Sequence, residues 1–287
     1  MPEGDTVHRV TRILGRELSG RVLDALELHD RGPVPELSGR RIEAVEARGK
    51  HMLVHIEGGW TLRVHLGMHG RWRRQHALEA LPRQATVVVT SGRTTYTCAR
   101  AYRAELLRTR HLRAHARLAR LGPDLLADPP AIDHAVARAL LPANAQREIA
   151  DLLLDQRVAA GIGNIYKSEV LFERRIHPRT LVRTLGPESL RALYAEAAHL
   201  LRLSLLTRGR SPAPVRRRSR PTGTRLWVYG RAGKPCLDCG TPVVRFRQGD
   251  MGRSTWFCPG CQPPEGPVPA AATAGTAAGV VEPGGFR

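Results

Sequence analysis

Four cysteines, Cys236, Cys239, Cys258 and Cys261, fall into two Cys-x-x-Cys pairs separated by eighteen residues, the spacing of a closed tetrahedral metal site. Four thiolates leave no coordination position for water, so one Zn2+ per chain would brace structure there and activate no nucleophile. A rubredoxin-like iron centre and two separate redox pairs are the other chemistries that this spacing allows. At the opposite end, Pro2 becomes a secondary amine if Met1 is removed. An α-amino group titrates near 8 and a lysine amine near 10.4, so at neutral pH the former is neutral and nucleophilic roughly a hundredfold more often. Attack of such an amine on an aldehyde-like carbon gives a cationic iminium, an electron sink that acidifies the neighbouring C–H and favours elimination. Glu3, next to it, is placed to donate or accept a proton. Alone, a proline and an acid at these positions are commonplace.

The charge balance narrows the partner. Lys and Arg total 45 against 26 Asp and Glu, a net charge of +19, which points to a polyanion, with nucleic acid first. A generic basic surface or an RNA-associated factor has the same composition. Only Lys50, Lys167 and Lys234 are lysines, and lysine can move a proton where arginine cannot, so each is a candidate titratable amine. No stretch of about 18 apolar residues occurs and no apolar run follows Met1, so neither a membrane span nor a secretory signal is expected. That implies a cytoplasmic protein; a monomer is expected, associated with the nucleoid when bound to nucleic acid. Cys98, outside the metal set, is expected to be a buried small hydrophobe.

These groups need scaffolds. Asp5 is the expected N-cap of a first helix carrying Val7, Val10, Ile13 and Leu14 on one face. Short strands follow at Val22–Leu28, Arg41–Val45, Met52–Ile56, Thr61–His65, Thr86–Thr90 and Thr94–Cys98, the pattern of a β-sandwich or barrel. From Ile132 to Leu206 the period becomes helical. Val243–Arg247 and Ser254–Phe257 form a hairpin between the cysteine pairs, with Arg253 just past its tip. The fold class is therefore α+β and multidomain: a β-sandwich with its leading helix over 1–115, a helical domain over 116–207, a basic linker over 208–224, a metal-bound hairpin over 225–262 and a disordered tail over 263–287. His51, His55 and His65 are expected to be solvated strand residues. Gly161-x-Gly163 follows a helical segment and lacks a third glycine, so it is not a dinucleotide fingerprint.

Four separated segments carry a resemblance. They are Met1-Pro2-Glu3-Gly4-Asp5-Thr6, Arg48-Gly49-Lys50, Leu152 to Gln156 leading into Gly161-Ile162-Gly163-Asn164-Ile165-Tyr166, and Gly252-Arg253-Ser254-Thr255-Trp256-Phe257-Cys258-Pro259. Their order and spacing over about residues 1–262 resemble the formamidopyrimidine-DNA glycosylase and endonuclease VIII family of base excision repair enzymes. The resemblance implies a bifunctional DNA glycosylase and abasic-site lyase on damaged or abasic double-stranded DNA, with a helix-two-turn-helix and a structural zinc. By that resemblance Pro2 is the nucleophile and Schiff-base former, and Glu3 protonates the sugar. Lys50 contacts phosphate and assists β-elimination, and Arg253 grips the flanking phosphates and supports δ-elimination. Asn164 binds phosphate, and Arg120, before Gly122-Pro123-Asp124, is a further DNA contact.

Extruding a nucleotide costs a few kcal/mol and leaves a gap in the stack. Met68, in the loop His65–Gly70, is the adaptable apolar residue suited to fill it, although a methionine there could equally be core. The start with Gly4, Asp5 and Thr6 is closer to the endonuclease VIII branch, which favours oxidised pyrimidines over 8-oxoguanine. Two rivals remain: a zinc-dependent nucleic-acid-binding protein without catalysis, and an abasic-site lyase without base excision.

Overall fold

A computed structural model of the chain describes residues 2–75, 82–206 and 226–264. The expected basic linker and nearly all of the expected tail lie outside these residues. Helix α1 (Gly4–Leu18) leads into nine strands: β1 (Ala25–Leu28), β2 (Gly32–Pro33), β3 (Ile42–Arg48), β4 (His51–Ile56), β5 (Trp60–His65), β6 (Arg71–Gln75), β7 (Ala85–Ser91), β8 (Thr94–Ala99) and β9 (Arg103–Arg108). They form two antiparallel sheets, ordered β2-β1-β7-β8-β6 and β3-β4-β5-β9, facing each other across one core. The side-chain period of two explains the layering. Met52, Val54 and Ile56 of β4 turn into the sandwich beside Leu62 and Val64 of β5, while Leu53 turns out to pack under Leu112 and Leu118.

Helices α2 (Ile132–Ala139), α3 (Ile149–Leu154), α4 (Asn164–Glu173) and α5 (Pro187–Leu206) make the second unit. Their core is separate, built from residues such as Leu152, Ile162, Val170, Leu193 and Leu201. Helix α4 is buried along almost its whole length, because α3, α5 and the last hairpin all pack around it. That hairpin, β10 (Val244–Gln248) and β11 (Arg253–Phe257), pairs Gln248 with Arg253 and Val244 with Phe257. No helix among the described residues is long and apolar enough to cross a membrane.

One local expectation is corrected. Asp5 does not cap α1; Glu3 holds the cap position with extended backbone and makes no side-chain bond to its own helix. Asp5 lies within the first turn, buried, accepting hydrogen bonds from the Tyr166 hydroxyl at 2.8 Å and the Ser204 hydroxyl at 2.5 Å. It therefore fastens α1 to α4 and α5.

Candidate active site

The Glu3 carboxylate reaches across the domain boundary to a different helix. Its oxygens accept N–H bonds from Gly163 at 2.8 Å, Ile165 at 2.7 Å and Tyr166 at 3.4 Å, the orphan donors at the start of α4. The approach needs glycine: a Cβ on Gly163 would lie 2.3 Å from Glu3 Cδ, and one on Gly4 would lie 2.8 Å from Gly161 Cα. Burial pushes the Glu3 carboxyl above the usual carboxylate range; the Lys50 ammonium and the Ile165 and Tyr166 N–H groups reduce that rise without cancelling it. Such a carboxyl holds a proton to higher pH than a surface acid, as a general acid requires.

Lys50 stands on the tight turn between β3 and β4, where Gly49 adopts φ +59. Its ammonium donates to the Ile162 carbonyl at 2.5 Å. Burial draws its pKa down to about 8, with Glu3 opposing and Arg253 assisting. A lysine titrating there is neutral in about one molecule in ten at pH 7, against fewer than one in a thousand for a free lysine. The turn is held from the second domain by Asp124, which accepts from Gly49 N–H at 2.7 Å and from Leu126 N–H at 2.9 Å and pairs with His8 Nε2 at 3.0 Å. Burial alone would raise the Asp124 pKa; the His8 contact and the two N–H bonds outweigh it and bring it below the usual value.

Asp124→Asn leaves one oxygen where two share three donors. It is expected to slow strand cleavage at an abasic site about tenfold in single turnover, with DNA affinity held within about twofold. An unchanged cleavage rate would mean that the turn does not position Lys50.

Arg253 opens β11 and reaches the same cavity from the hairpin. Its strand is fixed from below by Lys167 of α4, whose buried ammonium donates to Thr255 Oγ1 at 2.7 Å and to the Ser254 carbonyl at 3.2 Å. Thr255 in turn donates to Gln248 Oε1 at 2.9 Å, and Gln248 Nε2 donates to Glu148 and to the Pro178 carbonyl. Glu169, also on α4, accepts the N–H groups of Trp227, Val228 and Tyr229 at 2.7 to 2.9 Å. Helix α4 thus holds both β11 and the 227–229 segment that precedes the cysteine pairs.

The four cysteines converge behind it, all four sulfurs within 4.8 Å of one another. Cys239 and Cys258 lie 3.4 Å apart and Cys236 and Cys261 lie 3.9 Å apart. A tetrahedral zinc with bonds of about 2.3 Å needs sulfur separations near 3.8 Å, so this set fits a closed four-thiolate metal site.

Pro2, Glu3, Lys50, Met68, Asn164 and Arg253 line one cavity of about 280 Å³. Four separate chain segments, 2–7, 50–68, 154–164 and 251–253, are needed to build it. Asn164 is buried there, and its Oδ1 has no hydrogen-bond donor among the described residues. Met68 is 55% exposed, so it is not core. Arg120 is exposed and does not line the cavity; the structure does not bring it to the others. The histidines differ from expectation. His51 is buried against Arg63 at 2.9 Å, and burial lowers His51 to about 3 and His65, which lines the cavity, to about 4. Gln156 also belongs to the site, holding the 161–163 turn through Gly161 N–H at 3.1 Å and the Ile162 carbonyl at 3.0 Å.

This arrangement has counterparts. Residues 1–104 match the formamidopyrimidine-DNA glycosylase N-terminal domain and residues 121–212 its H2TH domain. A Streptomyces coelicolor protein named "Probable endonuclease 8 2" is 38% identical over 276 residues, 94% of this chain and 96% of that one. The Mycolicibacterium smegmatis "DNA-(apurinic or apyrimidinic site) lyase Nei2" is 36% identical over 263 residues, covering 91% and 99%. The crystal structure of a Lactococcus lactis formamidopyrimidine-DNA glycosylase mutant with Fapy-dG-containing DNA superposes with a TM-score of 0.75 at 25% identity, covering 91% of this chain and 100% of that one. Pro2 and Glu3 meeting the H2TH domain and Arg253 of the hairpin in one cavity, in a chain aligned with these relatives nearly end to end, place it in the formamidopyrimidine-DNA glycosylase and endonuclease VIII family.

Proposed function

We propose that the chain is a bifunctional DNA glycosylase and abasic-site lyase of base excision repair. The observation that carries this reading is the Glu3 carboxyl, buried and proton-retaining, in the same cavity as Pro2, Lys50, Asn164 and Arg253. With Met1 removed, the Pro2 nitrogen attacks C1′ of an extruded nucleotide while Glu3 delivers a proton to the sugar ring oxygen. The damaged base leaves with the glycosidic electron pair, and the open sugar is held as an iminium on Pro2. Loss of a C2′ proton then expels the 3′ phosphate, and a second elimination expels the 5′ phosphate; the Lys50 amine, depressed to about 8, accepts protons in this sequence. Arg253 and Asn164 grip the phosphates on either side, and exposed Met68 fills the vacated stack. The four-cysteine set holds one Zn2+, which fixes the hairpin and takes no part in the reaction. Oxidised pyrimidines are the favoured lesions, because the Gly4-Asp5-Thr6 start follows the endonuclease VIII branch.

Borohydride trapping tests the scheme. Incubated with abasic-site DNA, the Met-processed protein is expected to give a covalent adduct whose peptide maps to Pro2; active protein with Met1 retained, or no adduct beside full strand cleavage, would sink it. A second reading has its own support. The Mycolicibacterium smegmatis relative bears the name of an abasic-site lyase. A lyase lacking base excision would cut abasic duplexes and spare thymine-glycol duplexes.

A further inference from the structure

A second concave surface lies apart from the cavity. It is a groove of about 290 Å³ lined by His69, Arg71, Arg73, Arg83 and Arg100, and among the described residues no carboxylate lines it. Some arginines elsewhere close on acids, as Arg31 does on Glu36, Arg63 and Arg103 on Glu105, Arg147 and Arg157 on Asp155 and Arg191 on Asp133, and others on backbone carbonyls, as Arg41 and Arg138 do. Among the described residues, no acid pairs with the four arginines of the groove, and all four are exposed. Two of them come from β6, which is an edge strand bonded only to β8. Arg71 and Arg73 share its outward face, while Trp72 between them turns toward the sandwich core.

Arg100 adds a separate sign. It has φ +52, left-handed backbone that a non-glycine residue rarely adopts, and its N–H is tied to the Gln84 carbonyl at 3.0 Å. Four guanidinium charges converge on one groove with no counterion among the described residues. An external polyanion relieves that repulsion, and the planar arginine fork matches phosphate oxygens.

The position of the groove says which phosphates. It starts at His69, the residue after Met68, and shares no lining residue with the cavity that holds Pro2, Lys50, Asn164 and Arg253. Met68, standing between them, would enter the base stack with the damaged strand on the cavity side. We propose that the groove takes the phosphodiester backbone of the opposite, undamaged strand, and so makes duplex DNA the preferred substrate over single strands. This rests on the DNA-repair reading above.

The test uses DNA carrying a tetrahydrofuran abasic analogue, which cannot form the Schiff base, either single-stranded or paired. For the full-length variant Arg71→Ala, Arg73→Ala, Arg83→Ala, duplex affinity is expected to fall at least tenfold. The slope of log affinity against log salt should fall by about two to three, near 0.9 for each phosphate no longer neutralised. Single-strand affinity should stay within twofold. Lysines at the same three positions should restore most of the duplex slope, since charge is what they share with arginine. Equal losses on both forms, an unchanged duplex slope, or no rescue by lysine would each overturn the proposal. Binding is read here without reaction, so a chain that behaves as expected on these probes yet gives no borohydride adduct would remove the proposed activity and leave the groove standing.

Discussion

Glu3→Gln is expected to slow base release by about a thousandfold while DNA affinity stays within about threefold. Glutamine is nearly isosteric with glutamate and cannot deliver a proton, so the loss should appear in the chemical step. The pH dependence sharpens this. Burial holds the Glu3 carboxyl above its ordinary range, and a general acid works only while protonated, so wild-type base release should decline as pH rises through that raised value. In the variant that decline should vanish. A structural cost is expected as well, because Glu3 accepts from Gly163 with one oxygen and Ile165 with the other, and glutamine offers a single acceptor. That mismatch is worth about 1–3 kcal/mol and is read separately by thermal melting. Equal losses in affinity and base release would make Glu3 a brace for α4 and no acid.

Removal of the metal is the second large effect. The hairpin's own apolar cluster is small, built around Phe172, Trp227, Val228 and Val243 with Cys236 and Cys258, whereas the sandwich and the helical domain have full cores of their own. Structural zinc sites supply about 10–16 kcal/mol of binding free energy, more than a cluster of this size can replace. Chelation, or Cys258→Ser, should therefore free residues 226–264 while the rest stays folded. Arg253 loses its setting above Lys167 and Thr255, and affinity for an abasic-site duplex is expected to fall at least a hundredfold. Far-ultraviolet dichroism should change little, and fluorescence from Trp227 and Trp256 should shift. Full activity at a verified metal content of zero would end the view of the metal as a brace.

Much of this was legible beforehand, for reasons that differ by residue. The cysteine set could be read because its two pairs flank a single hairpin, at separations that metal geometry dictates. Pro2, Glu3, Lys50 and Arg253 were reachable through the spacing of their motifs, and the structure places all four on one cavity. Asp124 was named only as part of a neighbouring motif, because its partners Gly49 and His8 lie 75 and 116 residues away and no local pattern encodes them. His51 and His65 looked solvated because a strand's period of two says which face a side chain takes and nothing about what later covers that face. Strand β6 was missed for the opposite reason: Arg-Trp-Arg-Arg-Gln carries little β-propensity and pairs only along one edge.

The seating of Glu3 and Gly4 against Gly161 and Gly163 bears on how the protein is made. The reactive amine is among the first atoms to leave the ribosome, yet the peptide groups that orient its neighbour are about 160 positions behind it in synthesis. On the proposed scheme, a nascent sandwich has Pro2 in place while Glu3 is still without its seat, and the site is complete only once residues 161–166 have docked.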